Sequence, residues 1–237
     1  GKTSLPFIAK RRIWYTIAIV VIALSAVLVV KPGLNPGIDF KGGSEVTVTG
    51  VADPSEGPGN DVLADKDLSS GSSVTTMGAS SVRIQTNELD KAQLDELASS
   101  LATAYDVDSG SVSATTIGPT WSADVTSKAA RGLVIFFLLV GALIWIYFRT
   151  WKMAAAALLA LSHDIIVTIG IYAASGFEVT PATIIGVLTI LGYSLYDTVV
   201  VFDKIRENTS HYEAQTRSTY AELANLAVNQ TFIRSIN

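Results

Sequence analysis

Four long apolar blocks, separated by polar stretches, constrain this chain more than any other feature of its sequence. A helix needs roughly 20 mostly apolar residues to cross about 30 Å of hydrocarbon. Residues 13–30 run for eighteen positions without a charge, and residues 129–148, 153–175 and 181–203 are of comparable length. Each block is predicted to be a membrane-spanning helix, the second with Arg131 snorkelling toward the interface. The composition agrees: 16% of the residues are charged, against about 25% in an ordinary soluble domain. A cleaved signal peptide does not fit the first block, which is too long and is followed by no small-residue cleavage site.

Orientation follows from Lys and Arg in the flanking segments, because cationic residues stay on the cytoplasmic side. Lys10, Arg11 and Arg12 precede the first block, Arg149 and Lys152 separate the second from the third, and Lys204 and Arg206 follow the fourth. All three clusters fall on one side. Residues 1–12 and 204–237 are therefore predicted to be cytoplasmic and residues 31–128 extracytoplasmic. That outer loop carries fourteen acidic residues against six basic ones, a net charge of −8. The whole chain is at −4 and has no cysteine, so a nucleic-acid partner is not suggested and disulfides are excluded. The first residue is Gly1, not Met, and the chain stops at Asn237; one or both ends are expected to be missing.

The outer loop is too long for a connector. Ser44–Thr49, Ser81–Thr86 and Ser111–Ile117 alternate polar and apolar residues as half-buried strands do. Leu94, Leu97, Ala98, Leu101 and Tyr105 form a helical stripe, with Asn87 as its expected N-cap. The fold class is thus a membrane α-helical bundle with a small α+β domain between spans one and two. Residues 52–80, rich in Asp, Gly, Ser and Pro, are expected to be a long, flexible, solvated insertion. The scattered carboxylates of the domain suggest a solvated surface, or one that touches a passing polypeptide.

The chemistry-bearing residues lie inside the apolar blocks. His163 and Asp164 sit in the third and Asp197 in the fourth. A charge at the centre of a membrane helix costs about 2.5–3.5 kcal/mol on insertion scales, so such residues mark a function or face a partner. Asp164 lies about 18 Å past Lys152, and Asp197 about 9 Å before Asp203, at 1.5 Å per residue. Spacing of i, i+4 puts Asp164, Thr168 and Tyr172 on one face, and Thr189, Tyr193 and Asp197 on another. Gly186 and Gly192 permit close helix approach. Facing stripes would supply hydrogen-bond partners that lipid cannot. A carboxyl removed from bulk water is suited to taking up and releasing a proton, so these are the parts of a proton relay; structural glue between helices is the other reading. His163 points about 100° away from Asp164 and is expected to bond a neighbouring span. Asp203, about 120° round the helix from Asp197 and at the water boundary, suits a solvated or capping role.

Gly1-Lys2-Thr3-Ser4 lacks the earlier glycine of a phosphate loop, and Tyr196-Asp197 lacks the second motif of an intramembrane aspartyl protease. Asn208-Thr209-Ser210 and Asn229-Gln230-Thr231 match a glycosylation pattern on the side expected to be cytoplasmic. With no nucleotide signature, an ion gradient is the expected energy source, carrying about 2.3 kcal/mol per charge per 100 mV.

Gly37-Ile38-Asp39-Phe40-Lys41-Gly42-Gly43, just after the first block, resembles the G-x-D-F-x-G-G signature of the SecF family. Ser162-His163-Asp164 and the run from Gly192 to Asn208, including Tyr193, Asp197 and Asp203, are similar to that family in the same order. Asn229-Gln230-Thr231 and Arg234-Ser235-Ile236-Asn237 look like its approach to a fifth span. The resemblance covers nearly the whole chain apart from about 52–80. It implies six membrane helices, of which four are present here, so the chain is expected to stop after the fourth. It also implies a multi-pass protein of the bacterial cytoplasmic membrane that pairs with SecD in a machine of the resistance-nodulation-division superfamily. Such a machine assists the SecY channel and uses the proton gradient to help draw exported unfolded polypeptides outward. By position, Asp197 resembles the family's proton-pathway aspartate and Arg234 its accompanying arginine. No enzymatic activity, cofactor or metal is implied; the lipid bilayer is the remaining partner. A non-conducting scaffold and a proton-driven small-molecule exporter are the alternatives.

Overall fold

The structure, a computed structural model, describes residues 5–210 and 218–236, with side chains as far as Phe232. It divides into two compact units, residues 36–130 and residues 1–35 with 131–237.

In the first unit, alternation along the chain builds a four-stranded antiparallel sheet. Its strands are β2 (Gly43–Thr49), β3 (Ser73–Met77), β4 (Ser81–Thr86) and β5 (Val112–Ile117), in spatial order β3-β4-β2-β5. A two-residue extended segment, β1 (Asn35–Pro36), precedes them, and the short helix α2 (Ile38–Lys41) leads into β2. Val46 and Val48 pair with Ile84 and Val82, and all four are fully buried. Helix α4 (Lys91–Ala104) lays Leu94, Leu97 and Leu101 on that face. On the other face Glu45 pairs with Gln85, whose side-chain amide donates to the Glu45 carboxylate over 2.9 Å. Three predicted strands and the helical stripe stand as expected.

Two expectations differ from what is found. The cap of α4 is Asp90, not Asn87: Asp90 accepts from the Gln93 amide and the Gln93 side chain returns to the Asp90 amide, a complete capping box. Asn87 instead donates to the Ser70 carbonyl over 3.2 Å. Residues 52–80 are not a structureless insertion, because α3 (Gly57–Asp65) and β3 form within them. Leu63 and Val74 enter the core, and Val62 and Leu68 pack against it. The polar composition hid a few well-spaced apolar anchors.

Those anchors are reinforced from a distance. The amide of Gly59, on the first turn of α3, has no partner within its own helix, and Glu56 at the N-cap supplies no side-chain cap. The Tyr105 hydroxyl, just past α4, accepts from the Gly59 amide over 3.0 Å and donates to the Ser55 carbonyl over 2.8 Å.

The second unit holds α1 (Arg11–Val30), most of α5 (Pro119–Phe148), α6 (Trp151–Ser175), α7 (Pro181–Thr209) and α8 (Tyr220–Ile236), with the short extended segment β6 (Glu178–Val179) before α7. Among the described residues the first four are long and apolar enough to cross a membrane. Helix α5 begins ten residues before the predicted second block, and α7 runs six residues past the fourth. Ser25 of α1 is buried against Gly170 of α6, where a Cβ would come within 2.8 Å of the Ser25 Cα. This is the small-residue contact that lets helices approach in lipid. Val140, Ile144 and Phe148 of α5, Ala154, Ala157 and Leu161 of α6 and Leu191 of α7 form a second core. The turn from α6 to α7 is made by Gly176 at φ 68° and by Thr180 with Thr183 as a capping box, with Pro181 opening the helix.

Candidate functional site

The α6–α7 hairpin sets the site. Asp164 lies eleven residues before the end of α6 and Ser194 thirteen after the start of α7, depths of about 17 and 20 Å from the turn. The antiparallel helices therefore bring the two to one level. Ser194 Oγ donates to Asp164 Oδ2, and His163 Nδ1 lies 3.3 Å from Asp164 Oδ1. The Thr168 hydroxyl turns back to the Asp164 carbonyl over 2.7 Å, bonding within its own helix. His163 thus contacts its own neighbour.

The structure does not bring the two predicted stripes face to face. Tyr193 is 76% exposed and lies with Thr189, Gly192 and Tyr196 on an open face of α7. The packed face carries Val187, Leu188, Leu191, Leu195, Val199 and Phe202. Ser194, three residues past Leu191, borders that face. Its signal was in the sequence: the apolar stripe of α7 marks the buried side, and the polar residue on its margin is the one that meets α6. Asp197 is half-buried, three residues beyond Ser194 on α7.

Near the far end of α7, the Tyr147 hydroxyl donates to Asp203 Oδ1 over 3.3 Å, and Arg206 donates to the Tyr147 carbonyl over 3.2 Å. Asp203 is exposed. Tyr147, Val199, Val200, Asp203, Lys204, Gln230 and Thr231 line a cleft of about 400 Å³. Arg234 falls in the last turn of α8, where its side chain lies outside the described residues. Asn225 and Asn229, one turn apart on α8, hold the chain at Leu5: Asn229 accepts from its amide over 2.8 Å, and both asparagines donate to its carbonyl.

The glycine motif is a structural device in the other unit. Gly37 caps α2, Gly42 closes it at φ 77°, and Gly43 opens β2 at φ 131°. A Cβ on Gly43 would sit inside contact distance of the Thr86 carbonyl, so only glycine lets β2 and β4 approach there. Asp39 and Phe40 are half-buried on the short helix. Among the described residues no group of His, Asp and Glu is placed to hold a metal ion.

Comparison with known proteins agrees with this architecture. The family model described as protein export membrane protein SecD/SecF, C-terminal, matches residues 97–237, and that of the SecD/SecF GG motif matches residues 27–50. The chain is 43% identical to the protein translocase subunit SecF of Streptomyces coelicolor, over 100% of this chain and 63% of that one. It is 39% identical to SecF of Mycobacterium leprae, over 97% and 52%. The protein translocase subunit SecDF of Brucella abortus is 28% identical over 99% of this chain and 31% of its own. The crystal structure of SecDF from Thermus thermophilus superposes with a TM-score of 0.86 at 27% identity, over 99% of this chain and 32% of that one. The chain therefore spans between half and two thirds of the first two relatives.

Proposed function

The chain belongs to the SecD/SecF family of protein-export membrane proteins, and from that premise we propose that it is an accessory subunit of protein export that uses the proton gradient together with a SecD partner. SecDF proteins join both names in one chain, and this chain matches about a third of such a protein, which supports SecD as a partner. Lys10 to Arg12, Arg149, Lys152, Lys204 and Arg206 support a cytoplasmic N-terminus and an outer position for residues 31–128. The bacterial cytoplasmic membrane is the location, the SecY channel the machine assisted, and unfolded exported polypeptides the cargo.

The observation that carries the reading is the polar pairing within an apolar hairpin. Asp164 and Ser194 meet between α6 and α7, with Asp197 half a turn to one turn away on the same helix. Polar groups at that depth are costly unless used or paired. Asp197 carries the proton, Arg234 accompanies it, and Asp164 completes the path, while Tyr193 lies on the open face of α7. Loading and unloading of the carboxyl changes which hydrogen bonds the hairpin needs, and the helices shift to supply them. That shift moves the outer domain, which handles the passing polypeptide.

Export of a secreted reporter tests this in cells whose only copy is the full-length protein with Asp197→Asn. Asn keeps the size and loses the charge. Export should fall to that of a strain lacking the protein, at normal expression. Unchanged export would remove the relay and favour a scaffold that holds partners without conducting.

A further inference from the structure

We propose that Ser194 is the positioning residue of the α6–α7 hairpin: a two-way hydroxyl that keeps Asp164 hydrogen-bonded in both of its charge states, so that Asp164 takes a proton in turn instead of serving as inert glue. This rests on the proton-relay reading above.

A carboxylate accepts hydrogen bonds and a carboxylic acid also donates one. In lipid, either state is costly unless a neighbour answers it. Ser194 Oγ donates to Oδ2 of the carboxylate. When a proton binds Oδ2, the new O–H donates to Ser194 Oγ. The serine's own hydrogen then turns to the carbonyl four residues back, at Ile190. That back-bond is already used by Thr168, Ser162 and Thr189 in these two helices. One hydroxyl rotation therefore satisfies both states, with no atom gained or lost beyond the proton itself. An Asn or Thr at Asp164 would fix one state.

The surroundings leave this task to few groups. Helix α1, packed on α6, carries no titratable side chain between Tyr15 and Lys31. The apolar part of α5 carries only Tyr147, whose hydroxyl is on Asp203. Helix α7 offers Tyr193 and Tyr196, both exposed, then Asp197, with Asp203, Lys204, Arg206 and Glu207 two turns or more beyond Ser194. On α6 itself His163 meets the other carboxylate oxygen, and Tyr172 lies two turns away. Ser194 is also three residues from Asp197, so a helix face that answers Asp164 is mechanically tied to the residue that carries the main path.

The test uses the full-length protein with its SecD partner in native membrane vesicles. Asp164 is labelled with dicyclohexylcarbodiimide, which modifies protonated carboxyls, and the modification is read by mass spectrometry across pH. Ser194→Ala removes a charge-assisted bond from the carboxylate and a weaker neutral one from the acid, and the labelling profile should move toward alkaline pH by the difference between them, about one pH unit. Ser194→Thr restores the hydroxyl and should restore the profile; Ser194→Cys, a weak donor of the same size, should fall between. A gain in labelling that is equal at every pH would mean only easier access, and would overturn the proposal. So would a profile identical in all three variants, or a shift in Thr as large as in Ala. Asp197→Asn, assayed for export alongside, separates the two ideas. Normal export in that variant sinks the relay, whereas an unmoved Asp164 profile sinks the role of Ser194.

Discussion

Tyr105→Phe removes one oxygen and should loosen helix α3 without disturbing the sheet. The hydroxyl serves two groups, the Gly59 amide at 3.0 Å and the Ser55 carbonyl at 2.8 Å. Gly59 is buried, so its amide would lose its partner where water cannot easily replace it; such an orphan costs about 1–3 kcal/mol. Ser55 is exposed, and its carbonyl can be rehydrated at little cost. Loss of an N-cap elsewhere costs about 0.5–2 kcal/mol, which is consistent. The net effect should be roughly 2 kcal/mol, a ~30-fold rise in the opening equilibrium at ~1.4 kcal/mol per decade. Hydrogen exchange followed by mass spectrometry on the full chain reads this directly. Peptides covering residues 57–65 should exchange about 30-fold faster, while those covering β2 and β4 stay near wild type. If α3 exchanges at the wild-type rate in Tyr105→Phe, the hydroxyl is not its cap. If α3 is unprotected even in wild type, residues 52–80 are solvated after all.

Three further outcomes follow from the same contacts. Burial, together with the nearby Glu56 carboxylate, raises the Tyr105 pKa above its ordinary value of ~10, although the Gly59 amide opposes this. The unfolded chain then loses its proton first, so the domain keeps this stability below pH ~10 and loses it as pH rises toward the folded value; alkaline unfolding should be less steep in Tyr105→Phe. Gly43→Ala combines a φ of 131° with a clash at the Thr86 carbonyl and should destabilise the sheet by at least ~2 kcal/mol in thermal unfolding. Gly50→Ala, with φ 76° but open space around it, should lose less. Gly170→Leu drives a side chain into Ser25 and should cost about 1–3 kcal/mol of α1–α6 packing, read as a lower melting temperature in detergent; an unchanged melting temperature would mean that the helices do not meet there.

Much of this molecule is legible without coordinates because its strongest signals are local. Hydrocarbon thickness and hydropathy alone locate the four long helices, and period-two alternation locates β2, β4 and β5. The stripe Leu94, Leu97, Leu101, Tyr105 locates α4. What local rules misjudge is residues 52–80, where polar composition argued for a solvated insertion. There Leu63 and Val74 reach a core built by residues distant in the chain, and the hydroxyl that caps α3 arrives from Tyr105, forty-six positions from Gly59. The acids within the apolar helices are visible for a related reason: any carboxyl in such a helix stands out against the cost of burying it.

Their partners are not visible in the same way. Spacing along one helix says which residues share a face, so Asp164 with Thr168 and Asp197 with Tyr193 could be grouped from the sequence. It does not say how far one helix is slid or rotated against the next. That is decided by where the small residues and the leucines interlock: Ser25 with Gly170, and Leu191 among Val140, Ile144 and Leu161. The outcome puts Ser194 and not Tyr193 on the Asp164 carboxylate. Helix identity follows from the chain's own periodicity, but register between helices follows from packing over the whole contact, which only the tertiary structure decides.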